Sequence, residues 1–326
     1  MKKILISILI MCTLLFVTFE MLTSSTSILE TVLFSLNIWK NNVFPSLFPF
    51  FVLSEILVNY GFIELVSELF KPIMNKLFKT KGVCSFAFIM SLISGFPSSS
   101  KYIRELYTNG FINEHEGTKL LTFTHFSNPI FILGTISTIF LNNKEIGPLI
   151  LICHYTGNII VGLLFRNYYI SKKEKNKTSF KKAILEMHKK RISNNSSFAN
   201  ILSNAIINGI NTLLLILGII TFFLILTTII DNNMHIPKYY QTILNGTLEM
   251  TQGLKYISLL EIPLKIKGTI SVLFISFGGI CVHMQIISIL KDTKIKYFPF
   301  LVARIIHGSI SSIIFYLIFD YWCLLI

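Results

Sequence analysis

The stretch VCSFAFIMSLISGFPSSSK (83–101) decides how this chain folds. It begins as a run apolar enough for lipid and then stops at Gly95-Phe96-Pro97, with three serines and Lys101 behind. A helix needs about 20 apolar residues to cross the hydrocarbon core. This run is shorter, and Gly and Pro both break helices. KYIRELYTNGFINEHEGTKLL (101–121) follows, polar and of helical pattern, punctuated by Asn109-Gly110. A short apolar arm, a break and a polar return arm spell a re-entrant hairpin with SGFPSSS at its tip. Unwound backbone survives at membrane depth only against protein or water. The tip is therefore either a ligand or ion site or a sealed packing device.

The rest of the chain supplies the membrane. Of 326 residues, 52% are hydrophobic and 14% charged, with a mean hydropathy of +0.67; soluble domains carry about 25% charge. The class is an all-α polytopic membrane protein whose constant partner is the lipid bilayer of a cell membrane. Apolar runs at 4–22, 43–61, 83–97, 121–141, 147–165, 205–230, 268–290 and 298–319 give seven or eight embedded helical segments.

The net charge of +13 is concentrated at RNYYISKKEKNKTSFKKAILEMHKKR (166–191), directly after an apolar run. A basic loop beside a span sets topology and faces the cytoplasm, where anionic lipid lies. No framework of a nucleic-acid module accompanies it, so nucleic acid is not an expected partner. The leading MKKILISILIMCTLLFVTF (1–19) has no small-x-small cleavage site and reads as a signal anchor crossing from inside to outside. Residues 23–42 then read as an external linker with an interfacial helix, and 43–61 as the return span. Residues 62–81 have the spacing and charge of an amphipathic helix on the inner surface. The pair 121–141 and 147–165, joined by NNKEIG, ends in the basic loop. Residue 121 is then inside, and 83–120 must enter and leave on one side.

The second half repeats the grammar: a long apolar helix (205–230), a polar stretch (231–267), a glycine-broken run SVLFISFGGICVHMQIISIL (271–290) and a last span (298–319). The leading helices of the two halves run in opposite directions under the charge rule, which implies an inverted repeat. The division is 1–42 anchor and linker, 43–165 first repeat, 166–204 basic loop and 205–326 second repeat. Whether 268–290 crosses or re-enters is open; crossing puts the C-terminus outside.

Three polar constellations interrupt the apolar background. The first is Ser94, Gly95, Pro97, Ser98, Ser99 and Lys101 at the hairpin tip. The second is Thr124, Ser127, Asn128 and Pro129 in TFTHFSNPIFILG, a helix start suited to polar or anionic groups; His125 there reads as a packing residue. The third joins Gly278, Gly279, His283 and Gln285 in SFGGICVHMQ with Glu249 in GTLEMTQGLKY. Arg304, in the last span, either pairs with an acid or snorkels. Pro45 and Pro49 are either helix-start punctuation or a kink beside a cavity. The five cysteines form no CxxC pair, so no disulfide framework or zinc site is expected. There is no Walker motif, GxGxxG, HExxH or Gly-x-Ser-x-Gly, and Ser-x-x-Lys stands without companion signatures. The expectation is a protein that is not an enzyme and needs no cofactor or metal.

SGFPSSSK, the LYTNGFINEHEGTKLLTFTHFSNPIFILGTI that follows, GTLEMTQGLK and FGGICVHMQ together resemble the sporulation integral membrane protein family of the YlbJ type, over about 40–320. Those proteins contain nucleoside-recognition (Gate) domains. The family pattern runs Ser-Gly-Tyr-Pro-x-Gly-Ala-Lys; here Phe96 replaces Tyr, Ser99 stands in place of Gly, and Ser127-Asn128-Pro129 lacks the family's Gly. The resemblance implies a role in endospore formation connected with the spore cortex. Two functions are consistent with it. One is a transporter-like body with a site for a small polar solute. The other is a scaffold that recruits sporulation proteins through the basic loop and the amphipathic helix. A membrane enzyme acting on a lipid-linked precursor is a third, without a catalytic constellation.

Overall fold

A computed structural model describes residues 2–171 and 178–325. Met1, at the head of the lysine-led anchor, and 172–177, the middle of the basic block, lie outside them, as does Ile326. Among the described residues the secondary structure is helical throughout, without strands.

The first helices are α1 (Lys2–Thr23), α2 (Ser25–Ile38) and α3 (Phe44–Asn59), the last two joined by a π-helical turn (Trp39–Val43). The expected external linker at 23–42 is a correction: Ser25–Asn59 is one continuous membrane-length helix. Several of its polar residues have partners on a neighbouring helix, α10 (Phe198–Asn233). Thr31 bonds Thr228 (2.8 Å), Ser35 bonds Thr221 (2.8 Å), and Trp39 Nε1 donates to the Leu213 carbonyl (2.9 Å). At the other end Asn208 Nδ2 donates to Glu55 (2.6 Å). Numbers rising on one helix pair with numbers falling on the other, so α3 and α10 are antiparallel.

Helix α4 (Phe62–Ile73) continues into a π turn (Met74–Phe78). Its apolar face buries Ile63, Val66, Met74 and Phe78, each worth about 1.5–3 kcal/mol. The outer side is covered by α9 (Phe180–Ser193), where Glu68 accepts from Lys71 (2.6 Å) and Lys182 (3.4 Å).

The hairpin expected from the opening stretch is present as α5 (Cys84–Ser94) and α6 (Ser98–Thr108), joined by Gly95-Phe96-Pro97. Helix α7 (Glu114–Phe123) starts at an Asn113–Glu116 capping box, which satisfies the orphan amides of its first turn. The segment 121–141 is broken at the polar cluster that the sequence marks as a helix start. Residues 124–128 leave the helical path, and a π-helix (Phe131–Phe140) resumes beyond Pro129. Asn128 caps the new helix, its Oδ1 accepting from Ile130 N at 2.7 Å, and Pro occupies the first turn, where its missing N–H costs nothing. Helix α8 (Gly147–Leu164) leads to the basic block.

After α10 come α11 (Lys238–Leu248) and α12 (Met250–Leu259), then α13 (Leu264–Phe277), α14 (Gly279–Ile289) and α15 (Phe298–Leu325). Helices α11 and α12 form a second hairpin, with Gly253 against Gly246 and Glu249 at its tip. This corrects the placing of the second broken element. The hairpin lies in the polar stretch 231–267, while Gly278-Gly279 interrupts a helix that crosses. That helix has its two ends at opposite ends of the bundle: Lys265 pairs with Asp320 (2.6 Å), whereas Asp292, just past α14, pairs with Arg104 (3.1 Å). The charge rule then places KDTKIK (291–296) inside with the basic block, and the end of α15 outside.

Helices α8 and α15 are also antiparallel: Trp322 Nε1 donates to the Glu145 carbonyl (3.1 Å), and Arg304 to Asn158 (3.0 Å). Leading and closing helices both pair head to tail, so the halves are inverted. The tips Pro97 and Glu249, and the breaks Asn128 and Gly279, stand at nearly the same offset along the chain.

Candidate functional site

Each hairpin tip rests on the helix break of its own half. Gly95 takes φ +76°, and a Cβ there would come within 2.5 Å of Asn128 N; only glycine permits both the conformation and the approach. Phe96 N donates to the Phe126 carbonyl (2.6 Å). The Asn128 amide nitrogen reaches the Ser46, Ile93 and Ser94 carbonyls at 3.2–3.4 Å. In the second half Gly279, at φ +68°, sits against Met250 N and the Leu248 carbonyl. The two breaks also meet, with His125 Nε2 lying 2.9 Å from where a Cβ on Gly278 would be.

These contacts border a mostly apolar central cavity of about 60 Å³, whose wall carries Ser46, Pro97, Ser127, Asn128, Glu249, Thr251 and Gln285 among apolar side chains such as Phe96, Phe131, Ile216, Ile220 and Val282. In this state it has room for a few water molecules rather than a solute. Larger cavities lie on either side. The inner one, about 630 Å³, is lined by Glu55, Lys101, Arg104, Glu105, Asn208 and Asp292 among others. The outer one, about 330 Å³, has Glu30, Asp231, Gln252, Lys255 and Tyr256 on its wall. A lysine stands over an aromatic ring at each: Lys101 over Phe51 (5.0 Å) and Lys255 over Phe34 (4.2 Å).

Glu249 has no cation within ion-pairing distance among the described residues. Its carboxylate caps α12, accepting from Gln252 N at 2.8 Å and from the Thr251 hydroxyl. A helix N-terminus offers it the amides and the positive dipole end, which keeps a buried carboxylate in place without a salt bridge. On the opposite wall the Ser127 hydroxyl is buried without a hydrogen-bond partner among the described residues; the same holds for both ring nitrogens of His125, which is not on the wall itself but stacks on Phe96 at 4.3 Å. A mostly apolar lining, with the open Ser127 hydroxyl on one side and the capped Glu249 carboxylate on the other, suits a small solute that both donates and accepts hydrogen bonds in an otherwise apolar surround.

The residues singled out in the sequence fall into three places. Pro97, Ser127, Asn128, Glu249 and Gln285 line the cavity together. Ser94, Gly95, Ser98 and Ser99 are buried behind the first tip, with Ser94 accepting from Tyr102 (3.1 Å). Thr124 bonds back to the Leu120 carbonyl (3.0 Å), Pro129 opens the second half of its helix, and Gly278 and Gly279 form the second break. Lys101 instead faces the inner cavity and pairs with Glu55 (3.3 Å). Ser46, a serine in an apolar span, gave no separate signal in the sequence. Pro45 sits in the first turn of α3, as punctuation there would, and Pro49 lies inside the helix that carries Ser46.

Arg304 neither pairs with an acid nor snorkels, which corrects both readings. Fully buried, it donates to Asn158, to the Thr122 carbonyl and to the His125 carbonyl (3.5 Å). It thereby neutralises the carbonyl end of α7 where the helix breaks. Lys119 does the same at the inner surface, donating to the Lys79, Arg166 and Tyr169 carbonyls.

A family model described as nucleoside recognition (Gate) matches residues 41–142, the first hairpin and first break included. The chain is 30% identical, over 323 residues, to the sporulation integral membrane protein YlbJ of Bacillus subtilis (strain 168); the match covers 92% of this chain and 79% of that one. No solved structure matches the chain.

Proposed function

The chain belongs to the YlbJ-type family of sporulation integral membrane proteins, and on that premise we propose that it is a transporter-like protein of endospore formation. It moves a small polar solute across the membrane rather than transforming it. The work is done in the service of the spore cortex, and neither cofactor nor metal takes part. What carries the reading is one observation: two hairpin tips and the two broken helices, from inverted halves, meet at a small, mostly apolar cavity that carries a few polar side chains and lies between an inner and an outer vestibule. In transporter folds paired broken elements of this kind form the central site around which one repeat rocks against the other to alternate access. Glu249, Thr251 and Gln285 recognise the solute from one wall, and Ser127 and Asn128 from the other.

The test is binding and transport by the purified protein in proteoliposomes, over a panel of small polar solutes. A solute that raises thermal stability, is taken up, and loses both effects in Glu249→Gln and Ser127→Ala is the expected result. A panel with no hit, together with normal sporulation in cells carrying both substitutions, would sink the reading. The scaffold alternative keeps one specific support, the exposed basic face of α9 around Lys181, Lys189 and Lys190. Its inner face is already spent on α4.

A further inference from the structure

The inner vestibule contains a charge without a partner. Lys101 pairs with Glu55 (3.3 Å) and Arg104 with Asp292 (3.1 Å), and the second Glu55 oxygen accepts from Asn208 (2.6 Å). The Glu105 carboxylate lies on the same cavity wall and forms no ion pair or side-chain hydrogen bond among the described residues. It stands one turn beyond Lys101 on α6, on the same helix face. Lys101 thus lies between two carboxylates on different elements, Glu55 of α3 and Glu105 of its own helix, and holds only the first.

We propose that Glu105 is a proton-exchange site of the inner vestibule, with Lys101 as the switch that reports its state to the first hairpin. With Glu105 neutral, Lys101 clamps α6 onto Glu55 and keeps the tip seated over the central cavity. When Glu105 gives its proton to water in the vestibule, the new carboxylate competes for Lys101. The tie between α6 and α3 then slackens, and the tip can leave the Asn128 break. This deepens the transporter reading and rests on it for its purpose, by naming a coupling ion.

The electrostatics agree in sign. Helix α6 is not one of the membrane-length helices. Burial pushes the Glu105 carboxyl up, Lys101 pulls it down and Glu55 pushes it up again, leaving it at about 7. The other charges on the cavity wall are Arg104 on α6 and Lys291 and Asp292 after α14; α10 presents amides, Asn208 and Asn211. The group therefore changes charge across the neutral range, which an ordinary surface glutamate does not do.

Infrared difference spectroscopy on the full-length protein in lipid nanodiscs tests the site directly. A protonated-carboxyl band should half-titrate near pH 7, vanish in Glu105→Gln and survive in Glu249→Gln. In Lys101→Gln the midpoint should rise, because the stabilising cation is gone. In Glu55→Gln it should fall, because Lys101 is freed and a repelling charge removed. A single cysteine at Ser98, in a cysteine-free background, should react several-fold faster with a thiol reagent above the midpoint than below it, and at one rate in Glu105→Gln. If no band between pH 5 and 9 depends on Glu105, the site is overturned. A Lys101→Gln midpoint that does not move overturns the switch. Either failure alongside solute uptake would leave the transporter reading standing, and a titrating band in a protein that takes up no solute would do the reverse.

Discussion

Gly95 and Asn128 touch backbone to backbone, and that contact seats the first hairpin tip on the first helix break. Any side chain at Gly95 would drive into Asn128 N at 2.5 Å. Gly95→Ala should therefore lose stability on two counts, the left-handed φ and the clash, together on the order of 2–4 kcal/mol. Gly110→Ala is the matched control: its φ is +74° but a Cβ there meets nothing within 4 Å. Thermal unfolding followed by tryptophan fluorescence should drop much further for the first variant. Equal drops would mean that the seat is loose.

At the second tip, Glu249→Gln should leave folding nearly intact, since a glutamine oxygen can still accept from Gln252 N, while solute binding is lost. Glu249→Ala should also unfold more readily, by about 1 kcal/mol for a missing cap. Comparing the two by thermal unfolding with and without solute separates recognition from capping.

Removing Arg304 leaves carbonyls and Asn158 buried without a donor. Arg304→Ala should cost about 1–3 kcal/mol for each buried acceptor it strands and lower the yield of folded protein. Arg304→Lys should recover only part, because a single ammonium cannot reproduce the guanidinium fork. Size-exclusion profiles after mild heating measure the order expected: wild type, Lys, Ala.

The α4–α9 clamp carries a pH dependence. Burial alone would raise the Glu68 carboxyl, but the hydrogen bonds and charges of Lys71 and Lys182 win and hold it below its ordinary 4.5. A carboxylate with a lowered folded pKa adds stability above its unfolded pKa and loses it as pH falls through the folded one. The clamp should thus be firm from pH 5 upward and loosen only below 4.5. Protease cleavage at the α9 lysines is the measurement: Glu68→Gln at neutral pH should be cut as fast as wild type in acid.

Topology gives the last prediction. Because α13–α14 crosses, Cys323 should react with an impermeant thiol reagent from outside, and a cysteine replacing Thr293 only from inside. Labelling of both from one side would mean that the segment re-enters.

The membrane class, the first hairpin and the basic inner loop were legible because each rests on local chemistry. An apolar run has a length, Gly-Phe-Pro ends a helix wherever it stands, and a block of lysines does not cross lipid. Tip residues Pro97 and Glu249 and break residue Asn128 were legible for the same reason, as polar or helix-breaking groups in an apolar setting. What the sequence could not contain was the pairing. Its place after an anchor crossing to the outside made 23–42 look like an external linker, when Thr31 and Ser35 bond Thr228 and Thr221, far along the chain on α10. Gly278-Gly279 left open whether its segment crosses or re-enters, and tertiary contacts made it a notch in a crossing helix and gave the tip to Glu249. Arg304 had no visible partner, since backbone carbonyls at a break exist only once α7 has stopped beside it. Sequence alone determined the membrane class and most of the segments that enter it, with the first hairpin's break, because those follow from local transfer free energy and backbone geometry. Only the tertiary structure decided which breaks face one another, because that depends on hydrogen bonds and close approaches between residues more than a hundred positions apart.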